Sequence, residues 1–440
     1  MDIPPSHSPI RHAYERRTWA ILSAIYGLLL IYLSLFPFDW NWHPSKERAA
    51  FLLPWPDHLS RADVLVNLVA YLPFGLLLAL HWRGRFKTWG VVVSATLLGT
   101  ALSITMEHLQ AYVPERDPSL SDALFNGVGT FFGAFTGSII AVPTALNERL
   151  YKWRYNWFQT GPVANLGLAV LGIWALAQLI PLVPSPDIGT LKQGIRPIIN
   201  VIQDPSRFQW SQTLLYSLDL AGLGVMTLSL IKASQYAVRL YGTFIAAVLL
   251  LKISMVTRQL SLEACIGAIA AVLFLSVMRP LYKRNWRLIA VFLLLSAYCV
   301  DELRPSDDPN AVFTAFNWLP FSLQLGAPLT GIIDVAETIW PFTALAYISL
   351  SMPWQHPRRT MWLGAISILI YVSSLEGWQT NIPGRFGDIT TVMLAVTAWW
   401  MPWWLYGNSA GEQITFQTRK SRRRPVGDEV KTKRRSRSTF

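Results

Sequence analysis

Five polar residues, Glu107, Gln110, Arg116, Asp122 and Asn126, fall within twenty positions of an otherwise apolar region. Charged groups at the end of a membrane-length apolar run are costly unless paired or hydrated, so the cluster is a functional candidate. Glu107 and Gln110, three apart, share one face of a helix. Pro114 ends that helix, and Asp122 and Asn126, four apart, share a face of the next. Arg116 lies in the turn between, within reach of both. Several chemistries fit this hub. The Arg116 guanidinium could fork onto a phosphate or carboxylate. Gln110, Asn126 and the upstream Asn67 would then supply neutral hydrogen bonds, with Glu107 and Asp122 orienting the arginine. Alternatively, two carboxylates sharing a pocket divide into acid and base, as a headgroup hydrolase or transferase would require. A purely structural clamp, Glu107 paired with Arg116 across two helices, stands beside both. The enzyme reading is the weaker. The sequence has no Ser-His pair, no H-E-x-x-H, no Asp-rich diphosphate motif and no Gly-rich phosphate loop, and His108 points to a different helical face from Glu107. No metal or cofactor is expected.

The elements that must hold this hub are membrane helices. The 440 residues are 52% hydrophobic and 15% charged, with mean hydropathy +0.32, against about 25% charged in soluble proteins. Runs of roughly 20 apolar residues mark spans. Twelve are expected, near 18–38, 63–82, 88–109, 120–143, 164–183, 211–231, 240–257, 260–278, 287–301, 330–351, 359–376 and 387–406. The first run is followed by FPFDWNW rather than a small-residue cleavage site, so it reads as a retained helix. With the N-terminus inside, 27 of the 38 Lys and Arg fall on the inner side and 10 on the outer, Lys252 lying within a span. Both termini are then cytoplasmic and the hub faces outward. The net charge of +12 owes much to ten Lys and Arg after Thr418. That tail is expected to be disordered, attracted to anionic lipid and without specific nucleic-acid binding. Cys265 and Cys299 sit in apolar runs, so no disulfide or CxxC site is expected. Residues 184–210 are expected to form a short amphipathic helix, residues 39–62 to rest on headgroups, and the Trp pairs 399–400 and 403–404 to form an interfacial belt.

The hub recurs. Glu107, Gln110, Pro114 and Arg116 are echoed by Glu376, Gln379, Pro383 and Arg385, nine residues separating Glu from Arg in each. Upstream, Pro73-Phe74 matches Pro341-Phe342. The second copy adds Asp388 where the first has Ser119, and has Thr391, Ala395 and Val335 where the first has Asp122, Asn126 and Asn67. Both copies put the hub on one side of the membrane, so the repeat is parallel. Transporters more often use inverted repeats, which leaves a twelve-span transporter as an alternative. Arg258 followed by Ser261 matches Arg116 and Ser119, but no Glu precedes it by nine.

Pro37-Phe38, Asn67, Pro73-Phe74-Gly75, Glu107, Gln110, Arg116, Asp122 and Asn126-Gly127 together resemble the VanZ-like family of bacterial membrane proteins. The resemblance covers about residues 15–145 and, in part, 310–405. It implies an integral protein of the bacterial cytoplasmic membrane; the family's namesake is linked with resistance to the glycopeptide teicoplanin. The expected fold is an all-α, polytopic transmembrane bundle with a parallel repeat of a four-helix VanZ-like unit. The units run 1–150 and 287–408, with a four-helix region of unknown relation at 151–286 and a basic tail at 409–440. The expected role is accessory, binding a lipid or lipid-linked saccharide or glycopeptide headgroup at the first hub, with Glu376, Gln379, Arg385 and Asp388 as a second hub.

Overall fold

The computed structural model describes residues 9–36, 38–43, 61–140, 153–180, 184–185, 187–233, 235–277, 279–305, 310–326 and 328–422. Among them all regular secondary structure is helical, joined by isolated bridges only. The chain divides into two compact units, Met1–Arg154 with Phe321–Ile332, and Tyr155–Pro320 with Ile333–Phe440.

The first unit is built from α1 (Pro9–Leu35), α2 (Arg61–Trp82), α3 (Thr88–Gln110) and α4 (Leu120–Ile140). Through their apolar stretches these helices carry apolar residues on all sides, as lipid demands, so packing is decided by residue size rather than by an apolar stripe. The closest pair is α2 with α4. A side chain at Gly133 would place its Cβ 1.9 Å from the Leu72 carbonyl oxygen, and one at Gly75 would lie 2.0 Å from the Thr130 carbonyl. Only glycine permits that approach. Pro73, inside α2, thus stands two residues before Gly75, which lets the neighbouring backbone in.

The second unit contains α5 (Pro162–Leu179), the amphipathic α6 (Ile188–Gln203), a 3-10 turn (Pro205–Arg207), α7 (Trp210–Leu230), α8 (Ala237–Ile253), α9 (Leu262–Val277) and α10 (Arg279–Leu303). Beyond α11 (Ser322–Gly326), which groups with the first unit, follow α12 (Pro328–Leu350), α13 (Pro357–Gln379) and α14 (Ile389–Arg422). α7 lies at the centre, with Leu223, Met226 and Leu230 fully buried. Asp187 caps α6 by accepting from the Thr190 amide at 3.2 Å, and Ile188, Ile199 and Ile202 stand exposed along it.

Among the described residues six helices are long and apolar enough to cross a membrane: Asp63–Trp82, Thr88–Gln110, Pro162–Leu179, Trp210–Leu230, Thr330–Leu350 and Pro357–Gln379. The chain is therefore a multi-pass membrane protein. Three expectations change. The ninth apolar run, read from residue 287, belongs to a helix starting at Arg279 and kinked at Asn285. The last helix passes residue 406 and runs into the basic segment as far as Arg422; residues 423–440 lie outside the described residues, as does most of 39–62. Trp399 and Trp403 are core rather than belt, 7% and 4% exposed. The Trp399 indole lies against Gly364 and donates to the Met361 carbonyl at 3.0 Å. An indole that finds both a small neighbour and a carbonyl packs inward.

Candidate functional site

The first hub forms where α3 ends and α4 begins, under the end of α1. The last carbonyls of a helix have no partner within it, and α1 receives its partners from the hub. Arg116 donates from Nε to the Phe36 carbonyl at 2.8 Å and from Nη2 to the Leu33 carbonyl at 2.9 Å. Gln110 Nε2 donates to the Ser34 carbonyl at 2.8 Å. Burial pulls the Arg116 pKa below its ordinary value, opposed by the fields of Glu107 and Glu115. Glu107, 4% exposed, accepts the Ser119 amide on Oε2 at 2.8 Å, so it tethers the start of α4 to the end of α3.

Beneath this lid lies a small polar layer. Asn126 donates from Nδ2 to Ser103 Oγ at 2.8 Å, while its buried Oδ1 accepts no bond. The Tyr71 hydroxyl, on α2 and 3% exposed, sits near Ser103, Ser34 and Glu107 but completes no hydrogen bond. A buried polar atom left in that state is rare and points to water, an ion or a ligand. Asp122 lies to one side, within reach of Asn67 and Ser121. The hub residues Glu107, Gln110, Arg116 and Asn126 therefore surround one layer, with Asn67 and Asp122 paired beside it. Tyr71 and Ser103 carry the layer's chemistry as much as the charged residues do. Their one signal in the sequence is position, Tyr71 two before Pro73 and Ser103 one helical turn before Glu107.

A family model described as VanZ/LLP1 matches residues 23–141, from the middle of α1 to the end of α4. This segment is similar to the VanZ/LLP1 family. No curated protein and no solved structure matches the chain.

The arginine turn after α13 lies outside the matched VanZ-like segment and has the same bonds. Arg385 donates from Nε to the Arg304 carbonyl at 2.8 Å and from Nη2 to the Asp301 carbonyl, capping α10. Glu376, 2% exposed, accepts the Asp388 amide at 2.7 Å, and Gln379 donates to the Glu302 carboxylate. Asp388 receives the Thr390 amide at 3.0 Å, the Thr390 hydroxyl at 2.9 Å and Asn317 Nδ2 at 3.2 Å. The Asp388 carboxylate is thus satisfied, although the Tyr298 hydroxyl on α10 is buried without completing a bond. The position of Asn126 holds Ala395, fully buried. No group of three or more His, Cys, Asp or Glu suited to a metal occurs among the described residues.

Proposed function

We propose that this protein is an accessory component of the bacterial cell envelope. It binds the headgroup of a lipid or lipid-linked saccharide or glycopeptide in the polar layer of the VanZ-like unit. The observation that carries the reading is the pair of buried, unsatisfied groups, the Tyr71 hydroxyl and Asn126 Oδ1. One can donate and the other only accepts, which matches adjacent hydroxyls of a polyol or sugar. Arg116 gives two of its N–H groups to carbonyls, so the recognition is by neutral hydrogen bonds more than by a guanidinium fork on phosphate. Glu107, with Oε2 committed to an amide, is suited to orienting a hydroxyl rather than to attack.

The reading includes twelve spans, each expected apolar run overlapping a described helix, and both termini cytoplasmic, because Lys and Arg are then more numerous on the inner side. It also includes a parallel repeat of the four-helix unit, supported by the matching bonds of Arg116 and Arg385. On that topology the polar layer lies toward the outer leaflet, where such headgroups are displayed.

The test is native mass spectrometry of the purified protein beside its Tyr71→Phe and Asn126→Leu variants, with thermal stability recorded on the same samples. A headgroup-specific lipid carried by wild type and lost from folded variants is expected. Wild type with no specific lipid, or variants that retain it equally, would overturn the proposal.

A further inference from the structure

The region between the two arginine turns, residues 155–278, matches neither the family model nor the sequence repeat at its carboxylate. The geometry points to a third four-helix unit of the same kind, made of α5, α7, α8 and α9, in which the hub's carboxylate has been replaced by leucine and its glutamine by lysine.

The argument starts from Arg258. It donates from Nε to the Ile180 carbonyl and from Nη2 to the Ala177 carbonyl, each at 2.5 Å. Nε takes one carbonyl and Nη2 the carbonyl three residues earlier, as at Phe36 and Leu33 and at Arg304 and Asp301. In each case the acceptors end the first helix of a four-helix set. Six residues before each arginine stands a side chain that reaches residue +1 of the lower carbonyl. Gln110 reaches Ser34, Lys252 reaches Gln178 at 2.9 Å, and Gln379 reaches Glu302. The arginine amide closes a turn onto the residue three before it all three times, at Val113, Met255 and Ile382. Three residues after each arginine a side-chain oxygen caps the next helix. Ser119 receives the Ser121 amide, Ser261 the Ala264 amide and Asp388 the Thr390 amide. The first and middle sets share one further bond. Asn41 and Ser185, each five residues beyond the upper capped carbonyl, donate to Tyr112 and Ser254, each four before the arginine.

Backbone conformation agrees. Thr257 has φ 65° immediately before Arg258, where the last turn has Gly384 at φ 75°. A β-branched residue is strained there, so the turn is held by the bonds around it rather than by local preference. Unrelated helix pairs have no reason to share this set of register, donor and acceptor.

What differs is the chemistry. The position of Glu107 and Glu376 is Leu249, 8% exposed, and that of Gln110 and Gln379 is Lys252. The positions of Asp122 and Asn126 are Ala264 and Ala268. The middle hub therefore has a leucine in place of the carboxylate and an ammonium in place of the glutamine amide, with Glu337 of α12 in the field of that ammonium, and it has no counterpart of the Asn126 acceptor. This assignment is independent of the headgroup reading, since it concerns fold and register alone.

The test is to write the missing hub back. Ser261 occupies the place of Ser119 and Asp388, whose amides hold Glu107 and Glu376. Leu249→Glu with Lys252→Gln should therefore fold, with a melting temperature within about 3 °C of wild type. Ile245→Glu, one turn earlier on α8 and likewise buried, should not fold, because its carboxyl meets no donor. A second variant replaces residues 249–261 by the sequence of residues 376–388, of equal length and with the arginine in register. A folded, monodisperse product from either substitution supports a third unit. If both fail as Ile245→Glu fails, the middle set is unrelated and the inference falls.

Discussion

The arginine turns after α3 and after α13 hold their guanidinium groups in the same way and differ in what lies beneath. Under Arg116 the Asn126 side-chain oxygen Oδ1 and the Tyr71 hydroxyl are buried without a completed bond. Under Arg385 the Asp388 carboxylate collects donors from Thr390 and Asn317, and the place of Asn126 is an alanine. The comparison separates two roles that one cluster of polar residues can play. The arginine, the glutamate and the glutamine are architecture in both turns, supplying donors to helix ends and tethering the next helix. On the proposed function, binding chemistry would belong to the residues present in the first turn alone.

Packing follows the same division. Gly75 and Gly133 let α2 and α4 meet backbone to backbone, whereas the corresponding positions in the last set are Thr343 and Pro402. The largest expected effect therefore comes from Gly133→Val. Its Cβ would lie 1.9 Å from a carbonyl oxygen, so the helices must part, at about 3 kcal/mol or more. Thr343→Val, its partner in the comparison, should change stability by about 1 kcal/mol, through the bond its hydroxyl makes to Ile339. Thermal unfolding in detergent measures both, and equal losses would show that the close approach is not what holds the first set.

Next in size are the arginines. Arg116→Gln and Arg385→Gln each remove two charge-assisted bonds to helix-end carbonyls, an expected loss of about 2 kcal/mol apiece. If the arginines are architecture in both turns, the two losses agree within experimental spread. A variant at Arg116 that stays fully stable while losing bound lipid would return the guanidinium to a direct role in binding.

How much of this was legible in the sequence depends on how local each feature is. The nine-residue spacing from Glu to Arg, and the proline two residues before each arginine, mark both turns because they lie within one connection. The acceptors of Arg116 are some 80 residues away and are backbone carbonyls, which carry no residue-type signal. For the same reason Arg258 could be matched by type to Arg116 but its bonds could not be foreseen. Tyr71 and Ser103 became site residues only through the close approach of α2, α3 and α4, which sets where their hydroxyls meet. Trp399 and Trp403 were misplaced because an indole at a membrane interface and one against a glycine in the core look alike in sequence.

The smallest effects on stability are expected at the tyrosines, and they discriminate best. Tyr71→Phe removes a buried hydroxyl that lies beside Ser103 and Ser34 without completing a bond to either, so stability should hold within about 1 kcal/mol. If a headgroup hydroxyl is what that group meets, the same change should weaken lipid retention by about tenfold, the equivalent of one hydrogen bond. Tyr298→Phe is the matched control. Its hydroxyl too is buried without a completed bond, beside Glu302 and Glu376 in the last set, but that turn has no counterpart of the Asn126 acceptor. Retention should be unchanged there. Equal loss from both variants would mean that both turns bind, and that the alanine at 395 does not close the second.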